Sequence, residues 1–148
     1  DEPVFSPVTA ADPLVFVGTD RGTGVFLEAA TGAEVARYST RGLIRGPAAV
    51  TDQAICFGST DGWLRTVSRD GKQPLWAYHL RGPVTLGPCA AGGHLYAGSP
   101  RRLVALDPVL GRPINDWKGW SFAGSLVPTT DTVYVGTSTG QVLALALP

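Results

Sequence analysis

A period of about 40 residues, four short β-type runs inside each period and no sustained helical periodicity predict an all-β chain. The fold is read as a β-propeller of about four antiparallel four-stranded blades. The period is anchored by a glycine that follows an apolar triplet. The segments LVFVGTDRG, AICFGSTDG, HLYAGSPRR and TVYVGTSTG place that glycine at Gly18, Gly58, Gly98 and Gly136, separated by 40, 40 and 38 residues. Upstream of each, by 10 to 12 residues, stands a small residue followed by Pro or Ser: Ser6-Pro7, Gly46-Pro47, Gly87-Pro88 and Gly124-Ser125. Four occurrences in one register divide the chain into units at residues 4–40, 44–80, 84–118 and 122–148.

Each unit then resolves into strands. The marker glycine closes one apolar run, and a second follows it at Val25-Phe26-Leu27, Leu64 to Val67, Leu103 to Leu106 and Val142 to Leu145. In the second unit the four runs fall at residues 47–50, 54–57, 63–67 and 74–78, rich in Val, Leu and aromatics and separated by turn residues. Thr60-Asp61-Gly62 and Ser138-Thr139-Gly140 are predicted hairpins, because glycine accepts the positive φ such turns demand. No segment carries a 3.6-residue apolar period with caps, so helix content is expected to be near zero. A β-sandwich accounts for the strands but not for the fixed period.

The fourth unit reaches Leu147-Pro148 directly after its third run, and residues 1–5 are barely enough for one outer strand. With no methionine anywhere, the chain is expected to be a piece of something larger. Three arrangements stay open: a four-bladed ring with a thin last blade, part of a larger seven- or eight-bladed propeller, and a homodimer making a ring of about eight blades.

Composition narrows the function classes. Twelve basic and twelve acidic side chains cancel, so no net field draws the chain to nucleic acid or to an anionic membrane. No apolar run approaches the roughly 20 residues of a membrane span. Nineteen glycines and twelve prolines spread among 44% apolar residues describe a turn-rich globular chain rather than a disordered one. Arginine outnumbers lysine, and Ala and Gly are abundant, which hints at a bacterial source.

The third and fourth runs resemble the quinoprotein-like (PQQ-like) propeller repeat, whose blades carry Ala-x-Asp-x-x-Thr-Gly-x-x-x-Trp with the Trp packed between neighbouring blades. Ala105-Leu106-Asp107, Gly111 and Trp117 are similar to that motif, with the Trp two positions late. Thr66, Ser68, Gly71, Lys72 and Trp76 form a second copy; Phe26, Glu28, Thr31 and Gly32 form a third, with Ala36 at the Trp position and Tyr38 nearby. The fourth copy stops at Ala144-Leu145-Ala146. The resemblance implies structural docking of blades by Trp76 and Trp117. It also implies a place outside the cytoplasm, periplasmic or secreted, and roles such as assembly scaffold, sensor domain or terminal domain of an enzyme. Catalytic members use a vicinal disulfide, a calcium site with acidic and amide ligands, and an Asp base. This chain has no Cys-Cys pair and a single asparagine, Asn115, so no cofactor is expected.

Motifs of catalysis are weighed in the same way. Gly136-Thr137-Ser138-Thr139-Gly140 matches the G-x-S-x-G nucleophile elbow, which needs a helix after the turn and a later acid and His. Here the string joins two strands and repeats the turn positions of the other units, so it reads as a hairpin. His79, His94, Cys56 and Cys89 have no metal-ligand spacing. Both cysteines sit in apolar strands and are expected as buried thiols, with a disulfide between adjacent blades as the other reading. No catalytic, cofactor-binding or metal-binding residues are assigned.

One constellation points to binding. In a propeller the link from a fourth strand to the next blade shares a face with the hairpin between second and third strands. Three such links contain a cation followed by glycine: Arg41-Gly42, Arg81-Gly82 and Lys118-Gly119. Arg45 lies beside the first, Arg101 and Arg102 occupy the third hairpin, and Trp120 and Phe122 add aromatic surface to the third link. These eight residues form a candidate rim for a protein partner or an anionic ligand, since Arg and Trp are enriched at binding hot spots. The expected function is therefore a non-catalytic module for protein interaction, scaffolding or ligand sensing. The competing readings are part of a quinone-dependent dehydrogenase, and a carbohydrate-binding propeller stacking sugars on Trp63 or Trp120.

Overall fold

The apolar runs between turns become strands because alternate side chains reach opposite faces, and in the inner blades both faces are covered. A computed structural model describes residues 2–146, and those residues contain fifteen strands and no helix. The first sheet is β1 (Thr9–Ala11), β2 (Leu14–Gly18), β3 (Thr23–Glu28) and β4 (Glu34–Ser39). The second is β5 (Ala49–Val50), β6 (Ala54–Gly58), β7 (Trp63–Ser68) and β8 (Pro74–His79). The third is β9 (Leu86–Ala91), β10 (His94–Ser99), β11 (Arg102–Leu106) and β12 (Pro113–Lys118), and β13 (Phe122–Pro128), β14 (Thr132–Thr137) and β15 (Val142–Ala146) make a fourth. Every sheet is antiparallel with its strands in chain order; the first three have four strands and the last has three among the described residues.

Consecutive sheets are blades packed face to face. Phe16 and Phe26 of blade 1 share a cluster with Ile55, Phe57 and Val67 of blade 2. Cys56 and Leu64, from the other face of blade 2, pack with Leu95, Ala97 and Val104 of blade 3. Tyr96, Leu103 and Ala105 then pack with Val133, Val135 and Leu145 of blade 4. Each inner blade thus sends odd positions of its second strand one way and even positions the other, and both sets are apolar.

The marker glycine exists for a close approach. A Cβ on Gly18 would lie 2.3 Å from Ile44 Cγ2, and one on Gly58 would lie 2.4 Å from Val84 Cγ1. Ile44 and Val84 belong to the links entering the next blade, so these two links lie over the preceding blade's glycine; at Gly98 the close neighbour is instead Leu86 Cδ1 of its own sheet, at 2.7 Å. The predicted hairpin glycines Gly62 and Gly140 have φ of 89° and 84°. In blade 3 the loop is tighter: Ser99 pairs directly with Arg102, leaving Pro100 and Arg101 at the tip.

Aromatic residues of the fourth strands reach the following blade. Tyr38 Oη donates to the Gly71 carbonyl at 2.9 Å, and Trp76 Nε1–H donates to the Pro108 carbonyl at 3.0 Å. A Cβ on Gly111 would meet the Trp76 ring at 2.5 Å, so the turn beneath the indole has room only for glycine. Trp117 stacks on Tyr96 with ring centroids 6.2 Å apart, beside the cluster joining blades 3 and 4. Cys56 and Cys89 are both free and buried, so no disulfide joins the blades.

Candidate functional site

The hairpins and the blade-to-blade links meet on one face of the propeller, held by short hydrogen bonds. Thr60 N–H donates to the Leu43 carbonyl at 2.9 Å, and Ser138 N–H to the Ser121 carbonyl at 2.8 Å. Side chains of the expected cationic rim are therefore brought to a common face, but they differ in what already occupies them.

In the first two blades the hairpins carry aspartates that take up the charge. Asp20 holds Arg45 through two hydrogen bonds of 2.9 Å. Asp61 accepts from Arg65 at 3.1 and 2.7 Å and from the Arg41 backbone N–H at 3.1 Å. Burial opposes the Asp61 charge, but Arg65 and the N–H groups of Arg41 and Trp63 outweigh it and hold the carboxyl at about 2. Trp63 stacks on His79 with centroids 4.8 Å apart and stays partly exposed.

Blade 3 has no acid in its hairpin. Arg101 stands exposed at the tip and enters no ion pair among the described residues. An open groove of about 490 Å³ lies beside it, lined by Arg101, Arg102, Lys118, Gly119, Trp120 and Ser121. Asp116 bonds Arg102 Nε and Nη2 at 3.0 Å each, and its Oδ2 lies 2.9 Å from Lys118 Nζ. Hydrogen bonds from Arg102 keep the Asp116 carboxyl below its usual range. Two of the three cations, Arg102 and Lys118, share this single carboxylate and Arg101 has none, so the groove keeps an excess of positive charge on a chain whose net charge is zero. Trp120, 41% exposed, supplies the flat apolar wall.

Two residues of the expected rim do other work. Phe122 is buried in the cluster between blades 3 and 4, because it begins β13 and alternation turns its ring inward; it adds no aromatic surface. Arg102 lines the groove, but its head is spent on Asp116, on the Leu80 carbonyl at 2.7 Å and on Tyr78 Oη at 2.9 Å, clamping blade 3 to blade 2. Arg81 follows Leu80, is exposed, and has a φ of 62°, a left-handed conformation that disfavours side chains other than glycine. The sequence reading passed over Asp20, Asp61 and Asp116. For Asp20 and Asp61 the signal was present in the aligned hairpins TDRG, STDG, SPRR and TSTG, where the first two carry an acid and the last two none; Asp116, inside β12, had no such signal.

The opposite face has a smaller hollow of about 330 Å³ between Thr51–Gln53 of blade 2 and Ala90, Gly93, His94, Pro108 and Val109 of blade 3. No group of three or more His, Cys, Asp or Glu side chains converges in metal-holding geometry among the described residues. No helix there is long and apolar enough to cross a membrane.

No curated protein matches the chain. Solved structures do. BamB from Moraxella catarrhalis superposes with a TM-score of 0.82 at 16% identity, over 96% of this chain and 43% of that one. The computationally designed Ika4 protein gives 0.88 at 15% identity, over 100% of this chain and 93% of that one. The designed Ika8 protein gives 0.85 at 16% identity, over 97% and 46%. The chain therefore spans less than half the length of BamB and of Ika8, and at these identities the likeness is one of fold. A family match covers residues 2–118, most of the chain, and takes in the repeat glycines Gly18, Gly58 and Gly98 and both Trp76 and Trp117. By that match the chain belongs to the PQQ-like propeller family described as outer membrane protein assembly factor BamB.

Proposed function

We propose that the chain is a non-catalytic propeller module for protein interaction, and that the groove beside Trp120 receives an acidic segment of a partner protein. The observation that carries this reading is the groove itself. Arg101, Arg102 and Lys118 line it with Asp116 as the carboxylate that pairs with Arg102 and Lys118, next to a half-exposed indole. An acidic side chain entering there meets the exposed Arg101 and Lys118, and an adjacent apolar residue covers the Trp120 ring. Within the expected rim Arg45 is paired with Asp20, whereas Arg41 meets Asp61 only through its backbone N–H and Arg81 is exposed; the Trp120 groove is favoured because there cations flank an exposed indole. Membership of a family named for an assembly factor supports interaction over catalysis, and supports a working place outside the cytoplasm.

A fluorescein-labelled peptide rich in Asp and Glu with one aromatic residue, followed by anisotropy, tests the reading. The wild-type chain is expected to bind it with an affinity that falls as salt rises. Combined Arg101→Glu and Lys118→Glu should weaken binding by at least about tenfold. Arg45→Gln should leave it unchanged. Equal binding by the charge-reversed variant and the wild type would overturn the proposal.

A further inference from the structure

Beside Arg41, at the junction of blades 1 and 2, lies a further hollow on the hairpin face. It measures about 410 Å³ and is lined by Ser39, Thr40 and Arg41 from the end of β4 and its link, and by Asp61, Trp63 and Arg65 from the next hairpin and β7. Two blades thus build it, and hydrogen bonds tie the link to the hairpin. Leu43 N–H donates to Thr60 Oγ1 at 2.8 Å, and Ser59 Oγ–H donates to Thr40 Oγ1 at 3.1 Å. The walls are set before a ligand arrives, which lowers the cost of binding one.

The chemistry of these walls is one-sided. Trp63 supplies the one large apolar surface, and the other five lining residues are polar or charged. His79 stacks on the Trp63 ring with centroids 4.8 Å apart and fixes its orientation, while 39% of the residue stays exposed. A ligand that fits is apolar on one flat side and polar around its edge. A pyranose has that form, because its axial C–H groups make one face apolar and its hydroxyls project from the rim. The aromatic side chain of a peptide does not, since most of its edge offers no hydrogen bond to the polar groups it would cover.

Charge and unused donors narrow the pyranose. The Asp61 side chain is 8% exposed and accepts four hydrogen bonds, from Trp63 N–H and Arg65 Nη1 on Oδ1 and from Arg41 N–H and Arg65 Nη2 on Oδ2. Its acceptor capacity is filled. The fork uses two of the five N–H groups of Arg65, which leaves three for another acceptor. The Arg41 guanidinium is exposed and enters no ion pair among the described residues. Two guanidiniums against one saturated carboxylate leave donors and a positive charge unmatched. We infer that this hollow binds an acidic sugar, a pyranose bearing a carboxylate, with its apolar face on Trp63 and its carboxylate on Arg41 and Arg65. Asp61 is a positioning residue that holds Arg65 in place. The hollow shares no lining residue with the Trp120 groove, so the sugar site and the peptide-binding reading stand or fall separately.

Isothermal titration calorimetry with trigalacturonate tests the inference, with the neutral galactose trimer as a parallel arm and the acidic peptide as a competitor. The wild-type chain is expected to bind one trigalacturonate, and the neutral trimer at least about tenfold more weakly, because it lacks the charge-assisted hydrogen bonds. Trp63→Ala should weaken trigalacturonate binding by at least about tenfold. Arg41→Gln changes an exposed side chain and keeps the N–H that Asp61 accepts, so it carries the test even where loss of the indole disturbs folding. It should weaken binding about fivefold at an unchanged melting temperature. Lys72→Gln, which removes an exposed cation in the turn between β7 and β8, should leave binding unchanged. Absence of saturable binding, equal affinity for the two trimers, or an Arg41→Gln variant that binds like the wild type would overturn the inference. So would displacement of the sugar by the acidic peptide, an outcome that puts the sugar in the Trp120 groove.

Discussion

Arg101 and Arg102 are adjacent, equally charged and differently employed. The two-residue loop of blade 3 leaves Arg101 at the tip in water, while Arg102 begins β11 and aims its guanidinium along the sheet edge at Asp116, Tyr78 and the Leu80 carbonyl. Its side chain is mostly covered, so the pairing contributes more than an open surface ion pair would. Asp61 is the counterpart in blade 2, and its protonation has a defined signature. Its carboxyl is held at about 2 in the fold, against an ordinary value of 3.8. The stability this contributes is present above pH 4 and is lost as the pH falls from about 4 toward 2. Asp61→Asn should therefore lower the urea midpoint at pH 6, with the gap to wild type closing as the pH approaches 2. A gap that stays constant over that range would show that the Asp61 charge does not support the fold.

At the scale of the element, the repeat works by handing one aromatic side chain to the next blade's turn. Tyr38 does this with its hydroxyl, Trp76 with its indole N–H, and the receiving turns use Gly71 and Gly111. Trp76 is partly exposed, so removing it falls toward the low end of the cost of deleting a large aromatic. Trp76→Ala is expected to destabilise by about 3 kcal/mol, and Trp76→Phe, which keeps most of the ring and loses the hydrogen bond, by about 1 kcal/mol. Thermal unfolding of both variants checks the order. Equal melting temperatures for the two would mean that the ring itself contributes nothing to docking. Trp117, two positions late, departs from this device: its ring stacks on Tyr96 of its own blade, beside the cluster that joins blades 3 and 4.

For the whole molecule, three successive junctions couple the blades, and each free thiol sits within one. Cys56 lies between blades 2 and 3 and Cys89 between blades 3 and 4, and burial pushes each thiol up to about 12. Neither should react with Ellman's reagent at pH 8 in the native protein. In a urea titration both should appear together with the loss of near-UV circular dichroism. A thiol that reacts before that transition would show a blade opening alone. A thiol raised from 9.0 in this way also favours the fold below pH 9, and that contribution disappears as the pH rises from about 9 toward 12. Much of this architecture was legible in the amino-acid order. Period, marker glycines, apolar triplets and hairpin turns are local or repeated features, and repetition makes a weak pattern unambiguous, so the blade number and the strand order followed from them. Charge pairing was not legible, because Asp20 lies 25 residues from Arg45 and Asp116 lies 14 from Arg102, and only folding brings them into contact. Phe122 shows the same limit in reverse, since its position suggested a loop aromatic until β13 turned it inward. By itself the sequence determined four repeating blades of propeller type. The tertiary structure alone decided that Arg101 stands unpaired among the described residues beside Trp120 and that Phe122 is turned inward, because exposure and pairing depend on distances between segments far apart along the chain.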